Sequence, residues 1–365
     1  MKPTKYLLPF LFSAAVVCAD TITVTSLEDN GSGSLRDAIT NAQSGDTISF
    51  DSSLSGTLVL QSSLPAIAVD NLTILGPMDH SIAIDGDSQY QIFNVQANPF
   101  TAIHLNLNNG ADANQGGAVF IHSAQYAFLK DVTVTPTSGP TGDNALYADV
   151  GAILDVTDVT FTSSDASQVY LNASTMNITS NSELAFIVDG TGGGQINKSG
   201  SSTVSLSTPT MVTSDYYLSI TDGVLLFSGT SSDSALSFST GHLQGSFDVS
   251  DIANLGFVMP GDSSNFGTMN LSGNYISVGG ETKIKVDPSQ ASDLIFAQRD
   301  VYLFNSALTL LPASGTYTQG TIFTILNTNA GINGTFSTVT LGGLDAQVNY
   351  NADSIQIEIL NDTTL

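Results

Sequence analysis

Short runs of β-branched and other apolar residues recur after turn residues, at 57–60, 72–75, 82–84, 103–107 and 132–134. Runs of this length and composition predict strands. Within 103–107 the pattern alternates: Ile103, Leu105 and Leu107 are apolar, whereas His104 and Asn106 are polar. A strand turns successive side chains to opposite faces, so one face is expected inside and one in solvent. Ile82 and Ile103 stand 21 residues apart, as do Val132 and Ile153, an interval near one turn of a parallel solenoid. Elsewhere the period drifts. Loops of unequal length on the sides of a solenoid would cause such drift, whereas a sandwich would show more hairpin turns of the Asn-Gly kind. The pattern predicts an all-β chain folded as a right-handed parallel β-helix, with a sandwich for the middle segment as the alternative.

One segment breaks the β pattern. Within 34–43, Leu35, Ala38, Ile39 and Ala42 fall at helical spacing, Ser34 with Asp37 forms a capping-box-like start, and Gly45 can end the helix. A solenoid exposes an apolar cross-section at its end, so an amphipathic helix there is expected to act as a cap. Residues 20–56 are read as this N-terminal helical cap and 57–190 as the β-helix body. Residues 190–215 are rich in Gly, Ser and Thr and contain Gly192, Gly193 and Gly194. No Lys-Ser/Thr follows the triplet at phosphate-loop spacing, so it reads as a turn or hinge. Residues 191–259 then continue the solenoid, and 260–360 form a last region.

The N-terminus changes the picture of where the chain works. Lys2 and Lys5 precede an apolar run at 6–17, and Val17, Cys18 and Ala19 make a small-residue exit. This is the pattern of a secretory signal peptide, with cleavage expected after Ala19. As a helix the run would span about 18 Å, short of the roughly 30 Å hydrocarbon core. The one cysteine, Cys18, would leave with the signal, so no disulfide or cysteine metal site is expected in the mature chain. Losing two lysines takes the formal net charge from −25 to −27. Nucleic acid and anionic lipid surfaces need a basic footprint and are therefore expected to be poor partners, so no nucleic-acid partner is expected. Charged residues are only 11% of the chain and hydrophobic ones 41%, which argues for a folded chain over a disordered one.

Three resemblances follow from particular motifs. Ser34-Leu-Arg-Asp-Ala-Ile39, followed by Gly45-Asp-Thr-Ile-Ser-Phe50, resembles the CSLREAI-type N-terminal motif of exported bacterial β-helix proteins, without its usual cysteine. Leu72-Thr-Ile-Leu-Gly76 and Ile82-Ala-Ile-Asp-Gly86 resemble the first coils of that group. Met269 to Tyr275, Thr282 to Pro288, Ser292 to Ile295, Leu310 to Tyr317, Gly320 to Leu326, Gly331 to Phe336 and Val348 to Asp353 together resemble the C-terminal part of an autotransporter passenger. That resemblance implies a pectin-lyase-like solenoid whose last coils help it fold at the cell surface. In the family a membrane β-barrel follows, which needs well over about a hundred further residues; this sequence stops at Leu365. A separate translocator is therefore expected if the chain reaches the surface, and a barrel-less relic of a larger autotransporter is one alternative. Gly116-Gly-Ala-Val119 resembles the repeat of chlamydial polymorphic membrane proteins, but it occurs once and reads as a coil turn.

Polysaccharide lyases and hydrolases need clustered carboxylates beside a cation or imidazole. Asp85 and Asp87, with Asp79 and His80 just before them, are the nearest approach, although Asp-Gly-Asp is an ordinary coil turn. Of the cations Arg36, Lys130, Lys198, Lys283, Lys285 and Arg299, only Lys130 falls in the expected body. His104 and His122 could stack on neighbouring coils, but no further metal ligands accompany them. Glu28-Asp-Asn-Gly31 and Asp112-Ala-Asn114 offer oxygens without a calcium-loop pattern. Leu311-Pro-Ala-Ser-Gly315 has the form of a sortase signal but is internal. No catalytic, cofactor or metal residues are assigned. The expected function is a non-enzymatic exported solenoid that binds a host or cell-surface protein or a glycan, with a polysaccharide lyase or hydrolase on the same fold as the alternative.

Overall fold

The computed structural model describes residues 19–112, 116–136, 145–161, 169–179, 183–184, 188–189, 194–207, 216–230, 235–238 and 241–365. Residues 1–18, where the signal peptide is expected, and Ala113, Asn114, Gly192 and Gly193 lie outside them.

Parallel pairing carries the fold. In one face the residues in register are Thr21, Thr47, Thr73, Thr101, Phe128, Asp155, Asn177, Asn197, Ser219, Ser237, Ala253, Ile276, Tyr302 and Asn333. A second face starts at Gly56–Val59 and Ile82–Asp85, and a third at Phe93–Val95 and Val119–Ile121. The result is a parallel β-helix, as the alternating pattern predicts. Inward rows such as Ile74, Ala102, Leu129, Val156 and Ile178 lie one above another and are fully buried or nearly so. Each coil shields the row of the next, so the core is one continuous apolar column.

The register corrects the 21-residue period. Coils run 26–28 residues down to Asp155, contract to 16–22 between Asp155 and Ala253, and lengthen to 31 at the end. Ile103 pairs with Leu75 in the first face, whereas Ile82 lies in the second. The cause is a corner within the long strands. His104, Asp131 and Asp158, with φ of 53°, 52° and 53°, sit one above another between Ile103, Lys130 and Thr157 and Leu105, Val132 and Val159. A left-handed residue here resets the alternation, so Ala102 and Leu105 both point inward while Ile103 is only half-buried. Asp and His tolerate this conformation better than branched residues do.

The ends are closed differently. The helix Leu35–Asn41 packs on Thr21–Val24 and Thr47–Phe50 at the start of the ladder, burying Leu35, Ala38, Ile39 and Ala42. Ser34 Oγ accepts the Asp37 amide at 3.1 Å, and Asp37 Oδ2 accepts the Gly33 amide at 3.2 Å, the reciprocal cap that the sequence predicts. The helix stops earlier than Gly45: Ala42 is its C-cap, in extended conformation. At the far end Ser354–Ile359 pairs antiparallel with both Ile322–Thr328 and Ala346–Tyr350, and this hairpin ends the parallel pattern.

Candidate functional site

Many polar side chains of the outer faces bond from coil to coil. Tyr126 Oη donates to Asp155 Oδ2 at 2.5 Å, Asn177 Nδ2 to Asp155 Oδ1 at 2.6 Å, and Asn197 Nδ2 to Asn177 Oδ1 at 2.8 Å. Burial first, and then the Asp155 carboxylate, push the Tyr126 phenol up to about 12. Asp149 likewise accepts from Ser123 and Asn172, and Asp251 from Asn274. These carboxylates serve the ladder.

The sequence-derived acid/base candidates separate. Asp85 accepts the Asp87 amide at 2.8 Å and the Asn109 side chain at 3.1 Å, and Asp87 accepts from Gln89. Asp79 is held by Ser81, which lowers its pKa. His80 turns to other coils instead. Its Nε2 is 3.2 Å from Asp131 Oδ2, and His104 Nε2 is 3.5 Å from the same oxygen. His122 is elsewhere, 2.9 Å from Asn94 Oδ1 and against the Phe120 ring. Two imidazoles thus share one carboxylate at a coil corner, a pairing the sequence spacing of His104 and His122 does not suggest. No group of three or more His, Cys, Asp or Glu among the described residues is disposed to hold a metal ion.

The remaining candidates take structural places. Asp29, in the acidic 28–31 stretch, is buried against Arg36 at 2.6 Å. Backbone lies where a side chain at Gly116 would go, with Val119 O and Tyr147 N in the way. Coil packing therefore requires glycine there. Lys198 occupies an inward position between Ile178 and Ile220 and is fully buried. Its ammonium donates to the carbonyls of Ser199, Gly200 and Asp222 at 2.8, 2.6 and 3.2 Å, and burial lowers its pKa.

Among the described residues, a concave surface of mixed chemistry lies near the C-terminal end, around Phe266. The loop 261–267 joins Phe257–Pro260 to Thr268–Leu271 and is pinned at both ends by one ion pair. Lys285 Nζ lies 2.9 Å from Asp293 Oδ2 and donates to Pro260 O at 2.8 Å, while Asp293 Oδ1 accepts the Gly267 amide at 3.0 Å. Asp293 is fully buried, and burial pushes its carboxyl up against the opposing pull of these donors. Inside the loop Asp262 accepts from Ser264 N, Asn265 N and Asn265 Nδ2 at 2.6–2.8 Å, which holds its carboxyl below the usual range.

Phe266 projects from this clamped loop at 41% exposure and borders two clefts. One, of about 550 Å³, is lined by Ser246, Asp248, Thr268, Asn270 and Ser292. The other, of about 490 Å³, is lined by Met259, Lys285, Asp287, Leu311, Pro312 and Ala313. A third, of about 360 Å³, shares Asp248 and Asn270 with the first. Sequence reasoning missed Phe266. The signal was an aromatic alone in a polar turn segment, Gly261-Asp-Ser-Ser-Asn-Phe-Gly267.

Compared with protein-family models and with curated proteins, the chain matches none. No helix among the described residues is long and apolar enough to cross a membrane.

Proposed function

We propose that the chain is an exported, non-enzymatic solenoid that acts at the cell surface or outside the cell as an adhesion or interaction module. The observation that carries this reading is the run of adjoining clefts around the clamped, exposed Phe266. Hydroxyls, amides and one aromatic face are groups that hold a partner by contact, and they sit on a rigid column of coils. Export is supported by the basic start, apolar run and small-residue exit at 1–19. A surface role is supported by the likeness of segments within 269–353 to autotransporter passengers. The lyase or hydrolase alternative loses support because His80 pairs with Asp131 and not with Asp85 or Asp87, whose carboxylates accept local turn hydrogen bonds.

Mass analysis of the protein made in its native producing cell tests export, with a mature N-terminus at Asp20 expected. A chain retaining Met1 and residing in the cytoplasm would overturn the proposal. For the interaction role, beads coated with purified protein should adhere to a target surface and lose adhesion when coated with Phe266→Ala.

A further inference from the structure

The Phe266 clefts differ from one another in chemistry. The larger is walled by hydroxyl, amide and carboxylate groups beside Phe247, and the other, which also borders Phe266, sets Met259, Leu311, Pro312 and Ala313 beside Ser263, Ser264, Lys285 and Asp287. A partner with many hydroxyls and a small apolar group a short distance away matches the polar wall of the first cleft and the Met259, Leu311, Pro312 and Ala313 patch of the second. Pyranose rings with an acetamido substituent have this division: hydroxyls and an amide at the edges, an apolar ring face, and a methyl group. Lys285 Nζ stands over the Phe266 ring, 6.0 Å from its centroid; the exposed part of the ring suits the apolar side of a sugar, and the loop clamp fixes it before any ligand arrives, which lowers the cost of binding.

Two other partner classes fit less well. Uronate or sulfated chains would approach a protein of net charge −25 through a cleft holding Asp248, and like charge opposes them. Peptides bind sheets mainly by adding a strand to a free edge. The strands flooring the larger cleft have none: Thr268–Leu271 pairs with His242–Val249 on one side and Leu294–Ala297 on the other, and Leu294–Ala297 continues to Ile322–Thr328.

We propose that the paired clefts around Phe266 bind a neutral glycan containing N-acetylhexosamine, with one sugar ring stacked on Phe266, its hydroxyls toward Asn270 and Thr268, and its acetyl methyl toward Leu311 and Pro312. This inference rests on the interaction reading above and gives it a ligand.

Titration calorimetry on the purified full chain tests it, with tetra-N-acetylchitotetraose as probe and cellotetraose, tetragalacturonate and hexalysine as comparators. Saturable binding of the acetylated tetramer is expected, about tenfold tighter than cellotetraose, with affinity falling about tenfold in Phe266→Ala and in Asn270→Ala. Phe266→Tyr, which keeps the ring, should retain binding within about threefold of the native chain. Because Phe266 is exposed, unfolding midpoints near that of the native chain are expected for its variants. No saturable binding of the acetylated tetramer overturns the inference. So does equal binding of tetragalacturonate, a Phe266→Tyr loss as large as that of Phe266→Ala, or Phe266-dependent binding of hexalysine alone. Sugar binding by a protein found only inside the cell would sink the surface function and leave the glycan site standing; surface location without sugar binding would do the reverse.

Discussion

Lys198 offers a sharp test of how the column is held together. It stands where the inward row has Ile178 below and Ile220 above, and its ammonium reaches three backbone carbonyls at a coil corner. In Lys198→Met the apolar stem is kept and the three carbonyls lose their donor. Ser199 and Gly200 are half-buried and Asp222 is exposed, so each carbonyl that loses this donor costs about 1 kcal/mol, the low end of the range for an unpaired group. Against this, the buried ammonium no longer has to shed its water, and the methionine end regains apolar burial of about 1 kcal/mol. The expected net loss is about 1–2 kcal/mol. Equilibrium urea unfolding followed by circular dichroism reads it as a fall in midpoint at unchanged slope. The pH dependence has a definite sign. Burial places the folded pKa of Lys198 below its ordinary 10.5, so between the two values the unfolded chain holds more protons and native stability rises with pH. Lys198→Met should lack that rise. A methionine variant as stable as the native chain, or more so, would refute the view that the ammonium is the organising donor, and would make it a buried charge tolerated at a net cost.

Other expectations follow from the same contacts. Asp293→Ala removes the carboxylate that holds both Gly267 and Lys285; a loss of about 3–5 kcal/mol and protease cleavage within 261–267 are expected, read by urea unfolding and by mass analysis of fragments. Absorbance titration should find Tyr126 ionising at about 12, with Asp155→Asn moving it down toward an ordinary phenol. Because its folded pKa is raised, the stability Tyr126 contributes is present below pH 10 and lost as pH climbs through the folded value. Gly116→Ala sets a methyl group against Val119 O and Tyr147 N, and a loss of more than about 2 kcal/mol in unfolding free energy is expected.

The solenoid was legible because burial needs every second residue to be apolar, and the strands at 72–75, 82–84 and 132–134 show that directly. The N-terminal helix was legible because Ser34 and Asp37 cap it locally. Coil length was not, because a left-handed corner at His104 or Asp131 shifts the alternation by one residue and leaves no mark in composition. In the sequence Lys198 is one cation in a Gly/Ser/Thr-rich stretch; only the register shows it standing in the apolar column. Side-chain meetings across coils, such as His80 and His104 on Asp131, depend on loop lengths that the sequence does not display. The Phe266 clefts escaped notice for the same reason, since their walls come from segments scattered between Ser246 and Ala313.

The measurement closest to the central claim is fractionation of the native producing cell, with immunodetection in the cytoplasm, periplasm, outer membrane, intact-cell surface and medium. The account predicts signal on the surface or in the medium, with the surface pool removed by protease added to intact cells. Signal confined to the periplasm or cytoplasm would contradict an adhesion or interaction role outside the cell.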